Sequence, residues 1–349
     1  MLHSGLSCMV EGVGHVLPPR VVTSAQIEDR LAPVYDRLKL PYGRLELMTG
    51  IRERRFWEPG TLPSQAAAMA GREALERSGV NPANIGCLIH SSVCRDFLEP
   101  STASVVHREL GLPATAAVFD ISNACLGLLS GMVTIANMIQ TGQIAAGLVV
   151  SGETAEGLHE ATMNQILTDE TLTRASFKQH FASLTIGSGA AAVVLVSPEL
   201  ARTRHELLGG AVRTNSAASE LCREDTDTPT SEHGPLMNTD SEALLYAGCE
   251  LAGDTWSDTC RALEWSNDSP DHVFTHQVGR AHKKLLFETC GLDPAKDFAT
   301  VETLGNTGSA ALPTAFSMGI EAVELSDGDL IALLGIGSGL TSLMLGVRW

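Results

Sequence analysis

Basic residues are scarce in this sequence: 24 Lys and Arg stand against 41 Asp and Glu in 349 residues, a formal net charge of −17. A field of that sign repels polyanions, which argues against nonspecific nucleic-acid binding and against docking on anionic membrane. Any phosphate ligand must be met by a local cluster of positive charge. Aromatic residues are few as well, at 5%, so Ala, Val, Leu and Ile must build the core. Long apolar runs are missing; those at 145–150 and 330–334 have strand length, far short of the roughly 18 residues a membrane helix needs. Residues 1–10 have neither the basic start nor the long apolar middle of a secretory signal. The eight cysteines, at 8, 87, 94, 125, 222, 249, 260 and 290, form no C-x-x-C pair and no framework spacing. In a reducing compartment most of them are small buried hydrophobes. The expectation is a cytoplasmic protein.

What is present is a globular composition, with 44% hydrophobic residues and 33 glycines, in a chain long enough for one large domain or two ordinary ones. Short apolar runs alternate with helical stretches, which predicts an α/β architecture. Strands are expected at 9–13, 87–92, 117–120, 147–152, 189–196, 208–213, 272–275, 298–302, 330–336 and 342–348. Helices are expected at 64–78, 100–110, 126–141, 240–263, 278–290 and 309–324. Residues 73–92 read much like 284–303: a helix ended by Gly79 or Gly291, a turn around Pro82 or Pro294, then an apolar run. That weak repeat implies two similar α/β halves, 1–200 and 201–349, with a deep site between them. Two segments, 153–181 and 217–239, do not fit it and read as surface excursions or lids, the second equally as a solvated loop.

Cys125 follows a strand and a tight polar turn and precedes a helix. That position aims unsatisfied N–H groups and the positive helix end at the sulfur, which favours a thiolate nucleophile; a buried cysteine capping a packed helix is an equal reading. His276 emerges at a strand end, where ligands bind in open α/β sheets, although a lone histidine there is more often a satisfied structural group. Asn306 lies in a strand-to-helix turn between Gly305 and Gly308, and its plain alternative is a helix cap. The glycine-rich stretches 12–14 and 335–339 fail the dinucleotide fingerprint, since neither opens into a helix. The second suits an oxyanion hole better.

Taken together, the motifs resemble the β-ketoacyl synthase III branch of the thiolase superfamily over nearly the whole chain. The resemblance rests on the Gly12-x-Gly14 stretch followed by Leu17-Pro18, the Gly50-Ile-Arg-Glu-Arg-Arg55 turn and the Asp120-x-x-x-Ala-Cys125 turn. His276-Gln277, Gly305-Asn-Thr307 and Gly335-x-Gly-Ser-Gly339 complete it in the family's order. It implies a thiolase-like fold of two pseudo-duplicated halves in αβαβα layers. By resemblance Cys125 is the acylated nucleophile, His276 and Asn306 activate the donor, and the N–H groups of Cys125 and Ser338 form the oxyanion hole. One departure is Gly187-Ser-Gly189, where the family often has Gly-Asp-Gly.

Glu99 refines the resemblance. Synthase III enzymes usually present an aromatic residue there to the partner subunit's acyl pocket, whereas a glutamate is similar to the head-to-head acyl-CoA condensing enzymes of olefin and ketone biosynthesis, the OleA type. There it enters the neighbouring site of a homodimer as a base. A malonyl donor makes its carbanion by losing CO2, but an ordinary acyl-CoA must surrender an α-proton, so a base is required. No metal or cofactor is implied; substrates arrive as thioesters of CoA or of acyl carrier protein, and Arg52, Arg280, Lys283 and Lys284 are candidate phosphate contacts. Arg54 and Arg55 extend the Arg52 group. A synthase III using malonyl carrier protein is the nearest rival and a thiol hydrolase a remoter one.

Overall fold

Among the described residues, thirteen strands and a set of helices realise the expected alternation. The computed structural model describes residues 8–224, 236–276 and 278–349. In chain order the strands are β1 (Met9–Val16), β2 (Arg20–Thr23), β3 (Glu53–Phe56), β4 (Cys87–His90), β5 (Ala117–Asp120), β6 (Ala146–Glu153) and β7 (Gly189–Val196). They continue with β8 (Glu206–Thr214), β9 (Cys222–Glu224), β10 (Met237–Thr239), β11 (His272–Thr275), β12 (Leu330–Gly337) and β13 (Thr341–Arg348). Nine form one sheet in the order β11-β12-β13-β8-β1-β7-β6-β4-β5.

The sheet is two arms joined at a thin seam, where β1 and β8 share the single pair Met9 and Glu206. Outward from the seam the first arm runs antiparallel from β1 to β7 to β6, then parallel to β4 and β5. The second repeats this: antiparallel from β8 to β13 to β12, then parallel to β11. A lone parallel bridge from Val273 to Asp297 stands in the fifth place. The strand expected at 298–302 is reduced to that bridge. Its β-branched residues instead enter the short helix Val301–Leu304, where Val301 and Leu304 are buried together, a case of tertiary packing overriding strand propensity.

Helix Pro63–Ser78 covers the outer face of the first arm, and helices Ser241–Leu263 and Arg280–Cys290 cover the second. Between the arms lie helices Gly127–Gln140 and Ala311–Ala322. Their buried cluster draws Ile135, Val149 and Val193 from one side and Phe316, Leu333 and Leu345 from the other, which gives the αβαβα layering. The Gly12 and Gly14 pair has a packing role. A β-carbon on Gly12 would lie 2.5 Å from Ala74 O, and one on Gly14 2.6 Å from Ala74 N, so β1 meets the Ala-rich helix Pro63–Ser78 backbone to backbone.

The repeated sequence stretches do share a local structure. Gly79 and Gly291 both cap a helix with positive φ, and Asn81 and Asp293 each accept from the amide two residues on. Their topological places differ, however: the first turn leads to β4, fourth from the seam, and the second to Asp297, fifth. A helix returning to a parallel strand uses the same turn chemistry wherever it occurs, so local likeness did not fix the register of the duplication. Segment 153–181 is also better built than a loose excursion. Helix Glu156–Thr168 and the turns to Leu184 pack Met163, Ile166 and Phe177 against Ile27, Leu31 and Tyr35 in a separate buried cluster. Of segment 217–239, residues 225–235 lie outside the described residues, as do 1–7 and Gln277; β10 packs against Lys178–His180. Among the described residues no helix is long and apolar enough to cross a membrane.

Replacing Gly14 by Ala places a methyl group against backbone that cannot yield. The expected loss is about 1–3 kcal/mol, read as a lower urea midpoint at unchanged slope; an unshifted midpoint would contradict this account of the strand–helix contact.

Candidate active site

Cys125, His276 and Asn306 all follow strand ends or bridges, and the first and last of them lead into the two central helices. Cys125 comes after β5, the fifth strand of its arm, and precedes helix Gly127–Gln140; Asn306 comes after the Asp297 bridge, fifth in its own arm, and precedes helix Ala311–Ala322. The two turns are therefore counterparts in the duplicated topology, and they meet. Ser309 Oγ accepts from Leu128 N at 3.0 Å and donates to Ser91 O. Gly127 is required at this junction, since a β-carbon there would lie 2.3 Å from Ser91 O.

Cys125 sits in the 3-10 turn Ala124–Leu126, one residue after Ala124, whose φ of 44° is left-handed and strained for a residue with a side chain. Its amide lies against the end of β12: a β-carbon on Gly337 would be 3.4 Å from Cys125 N. The next residue, Ser338, is partly exposed, and no acceptor among the described residues takes its N–H, as an oxyanion donor requires. His276 is anchored to the same strand, its N–H donating to Leu334 O at 2.9 Å. The imidazole is buried and its Nδ1 has no partner among the described residues.

Asn306 is held on both sides of its backbone, its N–H donating to Thr185 O and its carbonyl accepting from Gly187 N. Its Oδ1 accepts from Gly308 N at 3.0 Å. That bond fixes which end of the amide is which, and it leaves the Nδ2 hydrogens as donors for a substrate oxygen. Gly187 has a clear role here: a β-carbon would lie 2.3 Å from Leu304 O, and Arg54 is wedged beneath both Gly187 and Gly305.

The electrostatics correct the expected thiolate. Cys125 is partly accessible, yet burial pushes its thiol up to about 12, with the Glu153 carboxylate and the Cys222 thiol adding to the shift. The helix end does not outweigh that desolvation. Burial, with His282 nearby, holds His276 down to about 3, so the imidazole is neutral. The thiol and the imidazole are thus both uncharged at rest.

Other expected residues divide. Glu99 is exposed on the loop between β4 and helix Thr102–Leu110, next to Phe97 and Leu98, which are 48% and 80% exposed. The far end of this loop is tied to the edge strand β5, where Asp120 accepts from the amides of Thr102 and Ala103. Arg52 and Arg280 are exposed, and Arg280 packs on Gly50, its Cβ 2.9 Å from where a Gly50 β-carbon would be. Lys284 is exposed and 3.8 Å from Glu288, but Lys283 is spent on the buried carboxylate of Asp297 at 2.5 Å. Arg54 is fully buried, bonded to Ser24 Oγ and Leu184 O, and Arg55 reaches Pro18 O. Arg54 does not belong to a surface phosphate cluster, because alternation along β3 turns it inward.

Sequence reasoning missed Glu153, the last residue of β6, which is 3% exposed. The available signal was an acid closing an otherwise apolar strand, a position that needs a partner when buried.

Among known proteins, residues 60–186 match the thiolase N-terminal domain family and residues 260–349 the C-terminal family of 3-oxoacyl-[acyl-carrier-protein] synthase III. An acyl-CoA:acyl-CoA alkyltransferase of Shewanella oneidensis is 39% identical over 97% of this chain and 98% of its own. One of the same name from Xanthomonas campestris pv. campestris is 38% identical over 97% and 98%. The crystal structure of Xanthomonas campestris OleA bound to cerulenin superposes with a TM-score of 0.93 at 38% identity, covering 100% of this chain and 98% of that one. A variant of that protein with bound lauric acid and lauroyl-CoA gives 0.92 at 37%, covering 98% and 99%.

Alkylation by iodoacetamide tests the resting state. Because the Cys125 pKa is raised, its thiolate fraction should climb roughly tenfold per pH unit from about pH 7 to about pH 10 without a plateau. A flat rate near neutrality, lost in Cys125→Ala, would reveal a preformed thiolate–imidazolium pair instead.

Proposed function

We propose, from the premise that the chain belongs to the thiolase-fold family of acyl-CoA:acyl-CoA alkyltransferases, that it condenses two fatty acyl-CoAs head to head by Claisen chemistry. The first acyl-CoA transfers its acyl group to Cys125 and releases CoA. Neutral His276 is suited to accept the thiol proton, and the N–H groups of Cys125 and Ser338 to take the charge on the carbonyl oxygen. The second acyl-CoA gives its α-proton to Glu99 of the partner subunit. Its enolate oxygen is met by donors from Asn306 Nδ2 and His276, where a carboxylate would repel it. Attack of the α-carbon on the acyl-cysteine forms the new carbon–carbon bond and expels the Cys125 sulfur. Two acyl-CoAs thus yield one β-ketoacyl-CoA and one CoA, and hydrolysis of the product thioester gives the β-keto acid.

Glu99 is the observation that carries this reading: an exposed carboxylate on the loop after β4, next to the edge strand β5, in a chain whose relatives are acyl-CoA:acyl-CoA alkyltransferases. Decarboxylative condensation has no use for that base. The same edge supports a homodimer, since β5 presents unpaired backbone flanked by exposed Val93, Phe97 and Leu98. Arg52 and Arg280 remain the best-placed contacts for CoA phosphates, with Lys284 behind them. The division into residues 1–200 and 201–349 is supported by the seam between β1 and β8. Eight free thiols favour the cytoplasm.

The assay supplies lauroyl-CoA or a longer homologue alone and follows free CoA and β-keto product. Cys125→Ala should abolish both. Glu99→Ala should retain a stoichiometric burst of CoA while condensation falls about 100-fold or more. A strict requirement for a malonyl thioester would return the enzyme to the synthase III type, and bare fatty acid as the sole product would make it a hydrolase.

A further inference from the structure

Glu153 closes β6 in the space between two segments the reaction needs. Its Oε1 accepts from Val93 N and from Ser309 N, both at 3.0 Å, and its Oε2 accepts from Cys94 N at 3.1 Å. Burial raises its pKa while these amides oppose the shift, and no cation figures among the influences on it. A β-carbon on Gly308, which has φ of 55°, would lie 2.9 Å from Oε1. The carboxylate and the Asn306 turn are thus fitted to each other without spare room.

The three amides belong to different functional elements. Val93 and Cys94 begin the loop that ends in Glu99. Ser309 follows Gly308, whose N–H holds Asn306 Oδ1. The far end of the Glu99 loop is fastened separately, by Asp120 accepting from Thr102 N and Ala103 N at 2.8 Å each. Asp96, in the middle, accepts from Ser64 N at 2.9 Å.

We propose that Glu153 is a positioning residue for the bond-forming step: one buried carboxylate sets both the near end of the base-bearing loop and the orientation of the Asn306 amide. The inference rests on the condensation reading above and adds to it. In the dimer, the loop serves the neighbouring site while the Asn306 turn serves its own, so Glu153 ties the geometry of one active site to the base lent to the other. Thioester formation on Cys125 uses neither Glu99 nor the Asn306 amide, whereas enolate formation and attack use both.

Glu153→Gln tests this with little change in size. The glutamine carbonyl can still accept from Val93 and Ser309, but its NH2 group then faces the Cys94 N–H, which loses its carboxylate acceptor. Two rates are measured on folded protein: the burst of CoA on mixing with lauroyl-CoA, and steady-state β-keto product. Loss of the Glu153 charge also lowers the Cys125 pKa, so the burst is expected to be at least as fast as in wild type while product formation is at least tenfold lower. Circular dichroism and thermal melting establish folding. If E153Q does not accumulate folded, Glu153→Asp, which keeps the charge but withdraws the oxygens, is read by the same ratio. An equal fall in both rates, or product formation at the wild-type level, overturns the proposal. Wild-type enzyme run alongside separates the two ideas: if it makes no β-keto product from lauroyl-CoA alone, the condensation reading has failed.

Discussion

Ser309 stands where the two arms of the sheet converge, and its hydrogen bonds carry the geometry of the whole site. Its hydroxyl joins the start of helix Gly127–Gln140 to the end of β4, while its amide is taken by Glu153 at the end of β6. The first turns of helices leave amides without intrahelical partners, and such groups cannot be buried unpaired. Duplication brings two helix starts together in the interior, so the junction must supply acceptors. Ser309, Ser91 and Glu153 do so, and Cys125 and Asn306 are thereby held in fixed relation across the seam.

That constraint explains an unusual electrostatic setting. A buried acid close to a nucleophilic thiol raises the thiol pKa, which is a poor arrangement for a standing thiolate. It is tolerable in an enzyme whose charges develop on substrate oxygens, where fixed N–H donors act in a site already shielded from water. The imidazole of His276 is likewise kept neutral by burial. Glycines at 127, 187 and 337 belong to the junction too, each at a place where a β-carbon would press within 3.5 Å of another segment.

A net charge of −17 leaves little positive charge free at the surface. Most of the chain's 24 basic side chains are committed elsewhere or scattered; Lys283 is bound to Asp297 and Arg54 is buried among neutral partners. Arg52 and Arg280 stay exposed beside the Gly50 turn.

Periodicity, turn residues and short motifs were enough for the sequence to determine the α/β class and most strand and helix positions, and to place Cys125, His276 and Asn306 in turns at the ends of strands or bridges. Each of these depends on local spacing that survives in any environment. The register of the duplication was not legible, because Gly79 and Gly291 cap helices by the same local chemistry in places that are not equivalent. Nor was the state of the Cys125 thiol, which is set by desolvation rather than by its helix. Segment 153–181 read as a polar excursion because its buried face is completed by residues 27–35, far away in sequence. Tertiary structure alone decided that Arg54 and Lys283 are consumed internally and that Glu153 is a hinge between two catalytic elements. Burial and partnership are properties of segments brought together over long separations, and no local pattern encodes which distant amide will arrive.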